Sequence, residues 1–223
     1  MKIALLNEFS QASKNNLIFK TLKNTVEPLG HKVFNAGMHN PLINKDVSEA
    51  YSDDNPRLTY LHIGIEAALL LNSQAVDFVI TGCGTGQGAL MSLNSYPGVV
   101  CGYCLEPTDA YLYLQINNGN ALSIPFAKGF GWGAEINLKN IFTVAFSNPQ
   151  GLGYPKENRK SQNENAMKLF EIKSNLCYPL LEALSNLDSK LLQTAIIAPN
   201  FKKCFLEGCK DQKILDYVNQ FYH

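Results

Sequence analysis

The feature that most constrains the fold is a glycine-rich turn between an apolar run and a helical pattern. Residues 76–81 are mostly apolar and β-branched, which is typical of a buried parallel strand. Four glycines then alternate over residues 82–88, where they let the backbone turn tightly and approach a bound group. A helical pattern follows and stops at Pro97. A strand, a turn and a helix start in this order predict an anion site, because free backbone N–H groups and the positive helix end face one space.

Cys83 lies inside this turn. Nearby N–H donors and the helix dipole favour a thiolate there, so the turn could hold a reactive sulfur beside a cradle for an oxyanion. The alternative is that Cys83 is a small buried residue that ends the strand, as most free cysteines are. Glycine-rich turns are seldom buried in a core, which favours the reactive thiolate.

Strand patterns alternate with helical patterns through residue 146. The predicted strands cover residues 2–7, 32–35, 76–81, 99–104 and 121–124. This alternation predicts an α/β fold with a doubly wound, five-stranded parallel sheet in a Rossmann-like, three-layer arrangement. The carboxyl ends of such strands share one edge, where ligands bind. We therefore expect one crevice to collect Asn7, Glu8, Cys83, Thr85, Glu106 and Asn117.

The helices of this region are read from apolar spacing and capping residues. Ser10 is expected to cap a helix whose buried face carries Leu17, Ile18, Leu22 and Val26. A second helix is expected from Pro56 to Asn72, with Leu58, Leu61, Ile65, Ala68 and Leu69 buried. The polar stretch 37–56 between them is long enough to predict a functional or covering loop.

The remainder of the chain divides into two parts. Residues 147–160 are rich in proline, glycine and asparagine and are interpreted as a linker or arm. Residues 161–223 have helical spacing and are interpreted as a C-terminal helical extension. The predicted organisation is therefore a domain at 1–146, the arm, and the extension.

Charge and composition restrict the partners. The chain has 19 Lys and Arg against 19 Asp and Glu, so its neutrality gives no electrostatic case for nucleic acid or an anionic membrane. Met1 runs directly into a strand pattern, and no stretch reaches the about 18 apolar residues of a membrane span. Six cysteines without a leader indicate reduced thiols. We expect a cytoplasmic protein.

The run CGTGQG at residues 83–88 resembles the glycine turn of the type B ribose-5-phosphate isomerases, the family that includes galactose-6-phosphate isomerase. Further matches occur in the same order and cover residues 1–146. They are Lys2-Ile3-Ala4, Tyr60-Leu61-His62, Asn94 with Pro97-Gly98, Cys104-Leu105-Glu106-Pro107, Asn117 and Asn120-Ala121-Leu122.

The resemblance implies an aldose–ketose isomerase that works through an enediolate without metal or cofactor. It implies that Cys83 is the base that moves the proton, and that Thr85 positions or opens the sugar. The substrate-binding residues are then Tyr60, His62, Gly84, Gly86, Gln87, Gly88 and Asn117. Glu8, at a strand end, could bind a sugar hydroxyl or be a solvated loop carboxylate. It also implies a homodimer or higher homo-oligomer, with the active site at the subunit junction.

Two departures from the family pattern concern the substrate. Phe9 and Ile116 occupy the positions of the family's phosphate-contacting and ring-opening histidines, and Arg159 or Lys156 in the arm could replace its phosphate-binding arginines. A tetrose 4-phosphate cannot close a furanose ring and needs no ring-opening acid. Pentose 5-phosphates, tetrose 4-phosphates and unphosphorylated sugars therefore stay open as substrates.

Other interpretations remain. Residues 84–89 also fit the G-x-G-x-x-A dinucleotide fingerprint, and Glu106 follows at the spacing of a ribose-binding acid, which would make the chain an oxidoreductase. Cys101 and Cys104 form a CxxC, but on a strand they should point to opposite faces. Trp132, between glycines, could line a pocket or lie in the core. A non-catalytic sugar-binding relative is the remaining alternative.

Overall fold

The computed structural model describes residues 1–39 and 56–222, and most of the predicted loop at 37–56 lies outside these residues. The strands are β1 (Lys2–Asn7), β2 (Lys32–Asn35), β3 (Phe78–Cys83), β4 (Cys101–Tyr103) and β5 (Ala121–Pro125). The helices of the sheet region are α1 (Asn15–Val26), α2 (Tyr60–Asn72), α3 (Gln87–Asn94), α4 (Pro107–Leu112) and α5 (Ala134–Phe146). The later helices are α6 (Arg159–Leu176), α7 (Leu180–Ser185), α8 (Ser189–Ile197), α9 (Pro199–Gly208) and α10 (Gln212–Asn219).

The five strands form one parallel sheet in the order β2-β1-β3-β5-β4, which confirms the predicted fold class. β3 is central and fully buried, as its apolar run predicted. Its register with β1 pairs Asn7 with Gly82, and its register with β5 pairs Cys83 with Pro125. The glycine-rich turn therefore leaves the middle of the sheet at its carboxyl edge.

Two apolar layers cover the sheet. One, with β-strand residues such as Ile3 and Ile80, is closed by side chains of α1, α4 and α5. The other is closed by α2 together with side chains of α7 to α10, including the fully buried Phe201, Phe205 and Val218. Burying each large apolar side chain contributes about 1.5–3 kcal/mol. The C-terminal extension therefore shares the core of the sheet region.

Several local predictions are wrong. A 3₁₀-helix (Phe9–Lys14) precedes α1, and its N-cap is Glu8 rather than Ser10. Leu17 and Leu61 were expected to be buried but are 40% and 46% exposed. The helix expected from Pro56 begins only at Tyr60, where Thr59 caps it. Among the described residues, no helix is long and apolar enough to cross a membrane.

Candidate active site

The turn between β3 and α3 directs its carbonyl groups toward β5. The hydrogen bonds are Phe126 N–H to Cys83 O (2.9 Å), Ala127 N–H to Gly84 O (2.9 Å) and Ser123 Oγ to Gly86 O (2.7 Å). A trans peptide points its N–H opposite to its C=O. The N–H groups of Gly84 and Thr85 therefore face away from β5, toward the side on which β1 lies. Together they form a backbone cradle of the kind that holds an anion or an oxyanion.

Cys83 is the last residue of β3, and 7% of its surface is exposed. Its Sγ lies 4.0 Å from Thr85 Oγ1, which accepts a hydrogen bond of 3.3 Å from the Gln87 N–H. Thr85 and Gln87 are themselves exposed. The structure thus brings the predicted base, the predicted hydroxyl and the backbone donors together.

The other buried cysteines have the character of core thiols. Burial raises the pKa of Cys104 and of Cys204 to about 12, and it raises the pKa of Cys101 as well. These three groups therefore stay protonated at neutral pH. Cys101 and Cys104 lie in opposite apolar layers, so the CxxC does not form a redox pair.

Two polar segments flank the glycine-rich turn at close range. A Cβ on Gly84 would lie 3.6 Å from Gln11 Nε2, and one on Gly88 would lie 3.1 Å from the ring of Tyr60. Gly86 has a φ of +75°, which glycine adopts without strain. The small residues thus let Gln11 and Tyr60 come against the turn from two sides.

Two predicted binding residues already have partners within the chain. Glu8 is buried, and its carboxylate accepts hydrogen bonds from the Ser10 N–H (2.7 Å) and the Ser10 hydroxyl. His62 Nδ1 accepts a 2.9 Å hydrogen bond from the Thr59 N–H, which completes the cap of α2. Burial lowers the pKa of His62, so a neutral imidazole is favoured. Both side chains cap the start of a helix, and their contact with substrate stays a prediction.

Phe9, at the position of the family's phosphate-contacting histidine, carries a cation on its ring. The guanidinium carbon of Arg57 lies 3.5 Å from the Phe9 ring centroid. The Phe9 N–H donates to Leu58 O at 2.9 Å, which ties this segment to the end of β1. Sequence reasoning missed Arg57, although it is one of only two arginines in the chain.

Asn117 and Arg159 do not join this group within one chain. Asn117 ends a π-helical turn (Tyr113–Asn117) four residues before β5 begins, so it lies at the amino edge of the sheet, opposite Cys83. Arg159 lies beside Gly153, whose N–H donates to Gln115 O (3.1 Å) in the same π-helical turn. The expectation that Asn117 shares the crevice of Cys83 is wrong for a single chain.

Glu106 does not occupy the place that a dinucleotide site requires. It precedes α4 at the end of β4, and β5 lies between β4 and the strand that carries the glycine turn. A ribose-binding acid belongs on the strand next to the turn. The topology therefore argues against a dinucleotide-binding oxidoreductase.

Two further findings concern cavities and side-chain clusters. A cavity of about 560 Å³ lies along the outer edge of β2, between Phe19 of α1 and Lys203 of α9, and the glycine turn does not line it. Among residues 1–39 and 56–222, no three His, Cys, Asp or Glu side chains are grouped closely enough to hold a metal ion.

Trp132 is fully exposed and therefore not part of the core.

Comparison with known proteins identifies two family matches and several relatives. Residues 3–146 match the ribose/galactose isomerase family, and residues 176–221 match a second family described as ribose-5-phosphate isomerase. A curated relative, ribose-5-phosphate isomerase B of Escherichia coli (strain K12), is 36% identical over 67 residues. That match spans 45% of the relative and 30% of this chain.

Two solved structures match over essentially the whole chain. A ribose-5-phosphate isomerase from Vibrio parahaemolyticus is 48% identical, with 99% of each chain covered and a TM-score of 0.90. A 4-deoxy-L-threo-5-hexosulose-uronate ketol-isomerase in complex with a tartrate is 47% identical, with 100% of this chain and 99% of that chain covered and a TM-score of 0.91. With the family match over residues 3–146, the chain therefore belongs to the ribose/galactose isomerase family, a family of aldose–ketose isomerases.

Proposed function

We propose that this protein is a cofactor-independent ketol isomerase whose substrate is an open-chain sugar acid without phosphate. The observation that carries the reaction type is the position of Cys83 beside the outward-facing N–H groups of Gly84 and Thr85. Full-length similarity is equally high to a ribose-5-phosphate isomerase and to a hexosulose-uronate ketol-isomerase, and Phe9 and Ile116, in place of two family histidines, favour the substrate class of the second. The whole activity, including the substrate, is part of this proposal.

The proposed reaction needs one base and one cradle. The Cys83 thiolate removes the proton from the hydroxyl-bearing carbon next to the substrate carbonyl, and the electron pair moves to the carbonyl oxygen to give an enediolate. The N–H groups of Gly84 and Thr85 stabilise that oxygen, since preorganised donors act most strongly where charge develops. The Cys83 thiol, which lies beside the exposed Thr85, exchanges its proton with water and then gives a proton to the former carbonyl carbon. Thr85 Oγ1 is placed to pass the hydroxyl proton between the two substrate oxygens.

The chemistry of a hexosulose-uronate agrees with the departures from the family pattern. Such a 4-deoxy-5-keto sugar has no oxygen on C4 and a ketone at C5, so neither a furanose nor a pyranose ring closes on its aldehyde. A ring-opening acid is then unnecessary, which fits Ile116 at that position. Phe9 stands where the family pattern has a phosphate-contacting histidine, which agrees with a substrate that carries a carboxylate instead of a phosphate.

Kinetic comparison of four substrates tests this proposal. We expect kcat/KM for 4-deoxy-L-threo-5-hexosulose uronate to exceed that for ribose 5-phosphate, erythrose 4-phosphate and free ribose by about 100-fold or more. The physical reason is that Phe9 offers a phosphate dianion no hydrogen bond where the family pattern has a histidine, so part of the dianion's solvation is not replaced. A preference for ribose 5-phosphate would show that the substrate is a pentose phosphate, and inactivity on all four would remove the isomerase assignment.

We also propose that the working form is a homodimer. Asn117 and Arg159 lie at the amino edge of the sheet, so either can reach a Cys83 site only if that site belongs to a second copy. α6 offers an apolar surface for such a contact, because Leu169, Ile172 and Leu176 lie on one face of the helix and are each more than half exposed.

Sedimentation equilibrium tests the dimer directly. The expected mass is twice the 24.7 kDa of the chain, because the exposed apolar face of α6 gains free energy by burial. Mixing the inactive variants Cys83→Ala and Asn117→Ala should restore part of the activity, since one hybrid site keeps both residues. A monomer of full activity would contradict the proposal.

A further inference from the structure

A cation is fixed beside the glycine-rich turn by an aromatic ring. The Arg57 guanidinium carbon lies 3.5 Å from the centroid of the Phe9 ring, which is stacking distance. The Phe9 N–H also donates a 2.9 Å hydrogen bond to Leu58 O, so the backbone at Phe9 is bonded to the residue that follows Arg57. Arg57 is exposed, so the edge of its guanidinium is accessible to a ligand. A side chain with this much rotational freedom is thereby held in one place before any ligand binds.

The Phe9–Arg57 pair lies between the two segments that flank the turn. Asn7, two residues before Phe9, pairs with Gly82 in the sheet. Gln11, two residues after Phe9, lies against Gly84, and Tyr60, three residues after Arg57, lies against Gly88. The cation is therefore on the β1 side of the turn, the side that the N–H groups of Gly84 and Thr85 face.

Among the residues that the structure describes, no carboxylate forms an ion pair with Arg57. The neighbouring carboxylate, Glu8, turns back to the Ser10 N–H and hydroxyl. Among residues 1–39 and 56–222, the only ion pair joins Lys32 to Glu207, at the outer edge of the sheet. A guanidinium that stacks by its face keeps its N–H groups in plane, in the fork that matches the two oxygens of a carboxylate.

We propose that the Phe9–Arg57 pair is the subsite that binds the substrate carboxylate and so selects sugar acids over neutral sugars. This inference rests on the proposed function, because it assigns the acidic end of the same substrate. Phe9 serves as the platform that orients the guanidinium, and Arg57 makes the contact. Cys83 and the N–H groups of the turn then act on the other end of the carbon chain.

Binding and kinetics of three variants test the subsite. Tartrate, a hydroxy dicarboxylate, is the probe for calorimetry, and 4-deoxy-L-threo-5-hexosulose uronate is the probe for kinetics. Arg57→Met should weaken tartrate binding and raise KM by about 10- to 100-fold with a smaller change in kcat, since it removes the charge-assisted hydrogen bonds to the carboxylate. Arg57→Lys keeps the charge without the fork, and Phe9→Leu keeps the fork without its platform, so both should fall between wild type and Arg57→Met.

Lys190→Met is the matched control, because it also removes one exposed cation, on α8 in the extension. It should bind tartrate as wild type does, and Arg57→Met, Arg57→Lys and Lys190→Met should melt as wild type does. If Arg57→Met binds tartrate and has a KM as wild type does, the subsite is wrong. Turnover of the keto-uronate by the wild-type protein would then still support the proposed function. Tartrate binding that depends on Arg57, in a protein that does not turn over the keto-uronate, would retain the subsite and reject the proposed function. A wild-type protein that does not bind tartrate would also overturn the subsite.

Discussion

Replacing Cys83 with alanine is expected to lower kcat by about 10²–10⁴-fold while leaving tartrate binding unchanged. The substitution removes the base that takes the proton, but it keeps the backbone cradle, because the carbonyls of the turn stay bonded to Phe126, Ala127 and Ser123. Steady-state kinetics with the keto-uronate and calorimetry with tartrate separate the two effects.

Cys177→Ser is the matched control for Cys83→Ala. Cys177 is a partly exposed cysteine that follows α6 and has no place in the proposed reaction, so its loss should leave kcat and KM near wild type. Substantial turnover by Cys83→Ala, within a few-fold of wild type, would mean that another group moves the proton.

Replacing Glu66 with glutamine should remove a steep loss of stability with rising pH. Glu66 lies on α2, is completely buried under the C-terminal extension, and has no hydrogen-bond partner for either carboxylate oxygen among the described residues. Burial raises the pKa of Glu66 well above its usual value. The buried hydroxyl of Tyr222 also has no hydrogen-bond partner among those residues, and the nearby carboxylate adds to the raised pKa of that phenol.

Because the pKa of Glu66 is raised in the folded chain, the free energy of unfolding decreases as the pH rises. Below about pH 4.5, Glu66 is protonated in both the folded and the unfolded chain, and the fold bears no ionisation penalty. As the pH rises, the unfolded chain releases this proton first, so the free energy of unfolding falls by about 1.4 kcal/mol per pH unit until the folded carboxyl also ionises.

Urea denaturation between pH 5 and 8 measures this contribution. The wild-type free energy of unfolding should decrease with pH more steeply than that of Glu66→Gln, and the variant should be the more stable of the two at pH 8. Glu164→Gln, a change at an exposed carboxylate on α6, should keep the wild-type slope. Parallel pH profiles for wild type and Glu66→Gln would contradict a neutral buried carboxyl.

The sequence predicted the sheet well where one physical signal dominated. The bounds of β1 and β2 agree with the pattern, because each is a short apolar run between polar residues. The buried faces of α1 and α2 were predicted less well. Leu17 and Leu61 match the helical spacing but lie at the margins of their helices, where the neighbouring layer does not cover them.

The candidate site was predictable only in its central part. Cys83, Thr85 and the glycines are adjacent in sequence, so their proximity required no knowledge of the fold. The Phe9–Arg57 pair joins segments 48 residues apart across the loop at 37–56, and no local pattern reports such a contact. Asn117 was misplaced because a motif gives a residue's position in the chain but not the edge of the sheet on which it lies.

Isomerisation of the keto-uronate in deuterated water tests the central claim most directly. If the Cys83 thiol exchanges its proton with solvent during transfer through an enediolate, the product should carry solvent deuterium on the carbon that gained hydrogen, and Cys83→Ala should lower turnover and incorporation together by about 10²–10⁴-fold. Turnover and deuterium incorporation by Cys83→Ala at the wild-type rates would contradict the proposed role of Cys83, because another group would then move the proton.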